Sequence, residues 1–320
     1  MPANIDSMFS VRLTPWHKEG MITDRPPATI AEARQWAGVE WEPEYVPVFN
    51  QTGQQIEGFK GLQRNDNQFM LNICRETYEM ISNKETFEIV ETVLKQGAYF
   101  DTAGSVRDGR QVWALAHLDE PIVIPGDKSL SFPYLAMLTS HDGTAACKVL
   151  PTTIRVVCWN TFQIALRQGD RTGVQFSFRH TKRVKDRIEE AKRVIDGTKN
   201  FALRWKEDAE SLIGIKVSPA QAKQFVLEFF PTPPAHLALS DRQVDNLTMN
   251  RATLQHLIEN SVTLDGIRDS AYGLVQAAGE YLDHLRGGRG GRDAYISRTL
   301  LRAEPEKARA LKLAVEVAKI

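Results

Sequence analysis

The period of the apolar residues changes once along this chain, close to residue 180. From Tyr99 to Phe178 they alternate with polar residues or gather in short runs bounded by turn residues, the spacing of β-strands. Beyond Thr181 they recur every three or four residues, as one face of a helix requires. In the first regime Arg107-Asp108-Gly109-Arg110 separates Phe100–Val106 from Gln111–Leu118, and Asp-Gly predicts a hairpin turn there. Pro121–Ile124, Tyr134–Thr139, Ala145–Leu150 and Val174–Phe178 are further expected strands. Ile154–Leu166 reads either way, with its apolar residues fitting a helix slightly better.

Upstream, the first fifty residues read as irregular with one short helix, begun by the capping box Thr29-Ile30-Ala31-Glu32 and stopped at Gly38. A hairpin is expected around Gln51–Gln54, followed by a strand through Gln68–Arg75. Ser82-Asn83-Lys84-Glu85 opens a helix carrying Phe87, Val90 and Leu94 and ending at Gly97. In the second regime Val184, Ile188, Ala191, Ile195, Phe201, Trp205 and Leu212 form one stripe, with Gly197 its weak point. Ser218 followed by Pro219 marks another helix start, and Pro231-Thr232-Pro233-Pro234 a stiff connector. Helices are then expected over Asp241–Asn260, Ile267–Leu285 and Pro305–Lys319. The predicted fold is α+β: an antiparallel strand-rich central sheet packed against a long helix, followed by a mostly helical C-terminal region. Residues 1–215 would form the α+β core domain, with an irregular N-terminal segment, and 216–320 the helical region.

Composition narrows the function classes. Of 320 residues 42% are hydrophobic, and 40 Lys+Arg balance 40 Asp+Glu. A protein that coats nucleic acid non-specifically is usually basic overall, so any such contact here must come from a local patch. Cys74, Cys147 and Cys158 are far apart and lack a C-x-x-C pair, which fits a reducing compartment. No signal-like opening or membrane-length apolar run is evident, so a cytoplasmic location is expected.

Searches for phosphate-binding, dinucleotide, zinc-protease and serine-hydrolase signatures find nothing. Cys147, Cys158 and His141 match no standard zinc spacing, and no metal, cofactor or catalytic residue is assigned. His17 follows Trp16, and a core Trp with a hydrogen-bonded His is the simpler account of that pair. The loop His141, Asp142, Gly143 between two expected strands has two readings. It is either a hairpin turn capped by the histidine or a polar loop presented to phosphate or substrate. Residues 179–193 hold seven Lys/Arg against three Asp/Glu, just where strand gives way to helix. This run is either a solvated face or a phosphate-tracking edge to which Arg155, Arg167 and Arg171 add. Phe176 and Phe178 share a strand face and suit the core better than a stacking platform. The seven-residue tract Arg286–Arg292 is similar to nucleic-acid-binding Arg-Gly segments but is equally a charged loop.

Several stretches together resemble one family. They are Thr14-Pro15-Trp16-His17 with Gly20; Tyr99–Ser105 leading to Val112–Ala116; Thr139–Gly143; Arg155–Thr161; Arg179-His180-Thr181; and Glu280–His284. In this order they resemble the phage/plasmid-like proteins that carry domain of unknown function 932. The family position of Trp159 is more often polar, so a polar contact there would be absent in this chain. A looser similarity links such proteins to phage single-strand annealing proteins, which lay a curved sheet against a helix and run single-stranded DNA along a basic groove, often as rings. The resemblance implies a non-enzymatic single-stranded nucleic-acid binding or annealing protein supporting recombination or replication. It further implies Arg155, Arg179, Lys182, Arg183, Lys185 and Arg187 as phosphate contacts, and a homo-oligomer or ring. The alternatives are a metal-dependent nuclease or hydrolase using His17, His141 and Asp142, and a protein-binding factor acting on a host defence or replication complex.

Overall fold

The structure, a computed structural model, describes residues 5–11, 20–89, 94, 97–118, 121–144, 146–155, 160–162, 176–178, 198–234, 236–237, 239–285 and 305–319. Among the described residues nine strands form the main sheet. They are β1 (Ile5–Val11), β2 (Met21–Thr23), β6 (Tyr99–Val106), β7 (Gln111–His117), β8 (Ile122–Val123), β9 (Leu130–Ser140), β10 (Cys147–Arg155), β11 (Asn160–Phe162) and β12 (Phe176–Phe178). The order is β11-β10-β9-β7-β6-β1-β2, with β12 beside β10 and β8 beside β9. All pairs are antiparallel except β1 with β2. A smaller sheet joins β3 (Pro43–Phe49), β4 (Gln55–Arg64) and β5 (Met70–Arg75). Helices α1 (Ile30–Trp36) and α2 (Asn83–Glu88) complete this part, each opened by the expected capping residue, Thr29 and Ser82. The α+β class holds.

Strand β7 is buried on both faces, which is why it reads as an unbroken apolar run rather than an alternation. Val112, Ala114 and Ala116 share one core with Phe9, Ala103, Leu135, Met137 and Val149. Trp113 and Leu115 share a second with Met8, Val106, Tyr134, Ala136 and Leu138. The β6–β7 hairpin turns where Asp-Gly predicts, with Arg107 and Asp108 both at φ 60°. Asp6 offsets the cost of that backbone: its carboxylate accepts from the amides of Asp108 (2.9 Å) and Gly109 (2.7 Å). A Cβ on Gly109 would stand 2.4 Å from the Trp41 ring, so only glycine fits.

Two expectations need correction. The described residues among the first fifty are not irregular: β1 inserts between β6 and β2 in the main sheet, and β3 starts the smaller one. The Ile154–Leu166 stretch is not helical where it is described, since Ile154 and Arg155 end β10 and Asn160–Phe162 is β11. Prolines explain why β9 and β10 run longer than expected. Pro151 falls where the outer partner of β10 changes from β12 to β11, and Pro133 where that of β9 changes from β7 to β8. A residue without an N–H is tolerated at such a gap.

Helices α3 (Thr198–Gly214), α4 (Pro219–Phe229), α5 (Asp241–Asn260), α6 (Ala271–Glu280) and α7 (Pro305–Val317) form the C-terminal region, with a π-helical turn over Tyr281–Leu285. Ser218 caps α4 with Pro219 in its first turn, and α6 begins at the Ser270 cap rather than at Ile267. Their shared core takes Trp205, Ala209 and Leu212 from α3 and Ile122 and Ile124 from the sheet side. The position 215/216 thus falls within one continuous core. No helix among the described residues is long and apolar enough to cross a membrane.

Cys147 sits in the sheet core, and burial pushes its thiol up to about 12. A folded-state value raised above the ordinary one gives stability that is full below pH 9 and is lost as pH climbs towards 12. The loss from this group reaches about 2 kcal/mol by pH 10.5. Urea midpoints of the wild type and Cys147→Ala between pH 7.5 and 10.5 check this: the variant should show the shallower decline.

Candidate functional site

The loop after β9 is held by its own side chains. Asp142 Oδ1 accepts from the Thr144 amide (3.0 Å), the Thr144 hydroxyl (2.6 Å) and the Ser140 hydroxyl, while Gly143 takes φ 72°. His141 opens this turn. Its ring is fully buried, edge-on to Trp41, with Nε2 2.9 Å from Asn83 Oδ1. The Asn83 amide donates from Nδ2 to the Trp41 carbonyl (2.8 Å), so its oxygen faces the imidazole and Nε2–H is the donor. The Arg64 guanidinium lies 4.2 Å over the Trp41 ring. His141 therefore ties the loop after β9 to the start of α2, while Gly143 is exposed and Asp142 partly so.

The strand register locates the basic positions. The backbone of Arg155 ends β10, opposite Ser131 on one side and Asn160 on the other. Phe178 ends β12 opposite Cys147, at the other end of β10. Arg179, Lys182, Arg183, Lys185 and Arg187 themselves lie outside the described residues, as do His17 and the Arg286–Arg292 tract. From Cys147 to Arg155 the strand covers about 27 Å at its usual rise. Phe176 and Phe178 stand in register with the core residues Val149 and Cys147.

At the Arg155 end lies a cluster that sequence reasoning did not single out as chemistry. Tyr99, His117 and Tyr134 form one rung across β6, β7 and β9. The His117 ring stacks on Tyr99 (centroids 4.8 Å, 10° between planes) and meets Tyr134 edge-on at 5.0 Å, with Phe132 at 4.9 Å. A register shift between Phe100 and Thr102 makes room for Asp101, whose Oδ2 accepts from the Tyr134 hydroxyl (2.9 Å). Burial, aided by this carboxylate, raises the Tyr134 hydroxyl well above the ordinary phenol value. Here too Ser10 of β1 pairs with Thr102. Asp101 and Tyr134 are 33 positions apart, and only the register brings them together. Among the described residues no group of three or more His, Cys, Asp or Glu side chains is placed to hold a metal ion.

Comparison with known proteins adds one finding. Residues 70–312, about three quarters of the chain and beginning at the first residue of β5, match the model of a family described as a domain of unknown function (DUF932). No curated protein and no solved structure matches. The chain belongs to the DUF932 family.

Proposed function

We propose that this protein binds single-stranded nucleic acid without covalent chemistry, as an annealing or strand-handling factor of a phage or plasmid. The observation that carries the proposal is the basic run 179–193 itself, which follows directly in sequence on Phe178, the last residue of β12. Seven cations against three anions in that run supply the local patch that a chain of zero net charge needs. Binding of this kind requires phosphate contacts and no nucleophile, in keeping with the lack of a catalytic signature in the sequence. A hydrolase built on His141 and Asp142 would have to free a buried ring from Asn83 and a carboxylate from Ser140 and Thr144.

Titrating a labelled single-stranded oligonucleotide against the wild type and the Lys182→Ala/Arg183→Ala variant tests the proposal. Removing two phosphate contacts should weaken binding roughly tenfold at low salt and reduce the salt slope by about 1.4. Equal affinity and equal slope would clear the basic run of any role. Gel analysis of the oligonucleotide after incubation with a divalent metal should show it intact, and cleavage would favour the nuclease.

A further inference from the structure

The smaller sheet has one buried and one open face. Leu62 and Cys74 point into the protein. The other face is a grid set by the register, Glu44–Gln63–Met70 in one row, Val46–Gly61–Ile73 in the next, and Phe59–Arg75 in the third. Ile73 is 57% exposed, Phe59 43% and Met70 40%, an unusual amount of large apolar surface on so small an area. Val46 and Met70 lean over Gly61, where a Cβ would come within 2.8 Å of Val46 Cγ2. The centre of the face is therefore flat and tightly filled. The open edge of β3 is a poor route for strand addition, because Pro43 and Pro47 have no N–H to offer.

Charge on this face is self-complementary. Glu44 and Arg75 occupy diagonally opposite corners, with apolar residues and Gly61 between them. We infer that a second copy of this chain covers the face, packed sheet on sheet about a two-fold axis lying between them along the Met70 diagonal. That operation crosses the strands at about 90°, an established packing of two sheets, and sets Arg75 of each copy over Glu44 of the other. The contact is closed and isologous, and so makes a dimer. With the strands crossed, the two three-stranded faces overlap over about 14 Å by about 14 Å, from strand rise and spacing. This is short of the roughly 800 Å² per partner of a standard interface, so the dimer forms reversibly and depends on concentration. The inference does not rest on nucleic-acid binding.

Sedimentation equilibrium of the full chain without nucleic acid, from low micromolar to sub-millimolar protein, tests it. The average mass should rise from 36.1 kDa towards twice that value. Ile73→Asp, at an exposed position with nothing to unfold, should hold the protein monomeric throughout. Glu44→Arg or Arg75→Glu should each weaken association about tenfold, while the double exchange should restore it to within about threefold of wild type. A mass that stays at the monomer value, or an association indifferent to Ile73→Asp, would overturn the inference. So would a double exchange as weak as the single ones.

Discussion

Replacing Lys307 by alanine is expected to destabilise the helical region by about 3–5 kcal/mol, the usual cost of leaving a buried charge without its partner. The Lys307 ammonium lies 2.7 and 2.8 Å from the two Asp283 oxygens, and the two side chains are only 8% and 0% exposed. Asp283 sits in the π-helical turn that follows α6, and Lys307 in the first turn of α7. The pair therefore fastens the last helix to the turn that ends α6. Removing only the ammonium takes this ion pair away from a carboxylate that is fully buried. Removing both charges is different. The double substitution Asp283→Leu/Lys307→Met discards the desolvation cost together with the attraction, so it should fold within about 2 kcal/mol of the wild type. Urea unfolding followed by circular dichroism distinguishes these outcomes. A single variant as stable as the double one would mean that Asp283 does not depend on Lys307.

His141→Ala should cost about 2–4 kcal/mol, combining a cavity beside Trp41 with the loss of the Nε2–H donor to Asn83 Oδ1. The loop after β9 and the start of α2 would be uncoupled. His141→Gln can still donate from its amide, so it should recover part of the loss. If the loop instead acted on a substrate, alanine would leave the thermal midpoint in place and change only an activity. A midpoint fall of several degrees, partly reversed by glutamine, is the outcome expected from the buried hydrogen bond.

Helix starts are legible in this sequence because their causes are local. Ser82 with Glu85 and Ser218 with Gln221 each complete a capping box within four residues, and both helices begin there. The β6–β7 hairpin was legible for the same reason, through Asp108-Gly109. Strand β1 was not, since its seven residues carry an irregular alternation and pair with β6 some hundred residues downstream. Strands β9 and β10 extend past Pro133 and Pro151, beyond their expected bounds, because a sequence does not reveal which side of a strand has an open ladder position. Of the candidate site, the cation excess of 179–193 was visible as charge, and His141 was visible as a residue between strands. That the imidazole would turn inward to Asn83, 58 positions away, depends on tertiary packing. The Asp101–Tyr134 hydrogen bond depends in the same way on the register of three strands.

The salt dependence of single-stranded oligonucleotide binding tests the central claim most directly. If the cations from Arg179 to Arg187, with or without Arg155, hold phosphates, log K should fall linearly with log salt concentration. For about five contacts the slope should be near −3.5, and it should be shallower in Lys182→Ala/Arg183→Ala. Binding that is absent at low salt, or a slope near zero, would contradict the account.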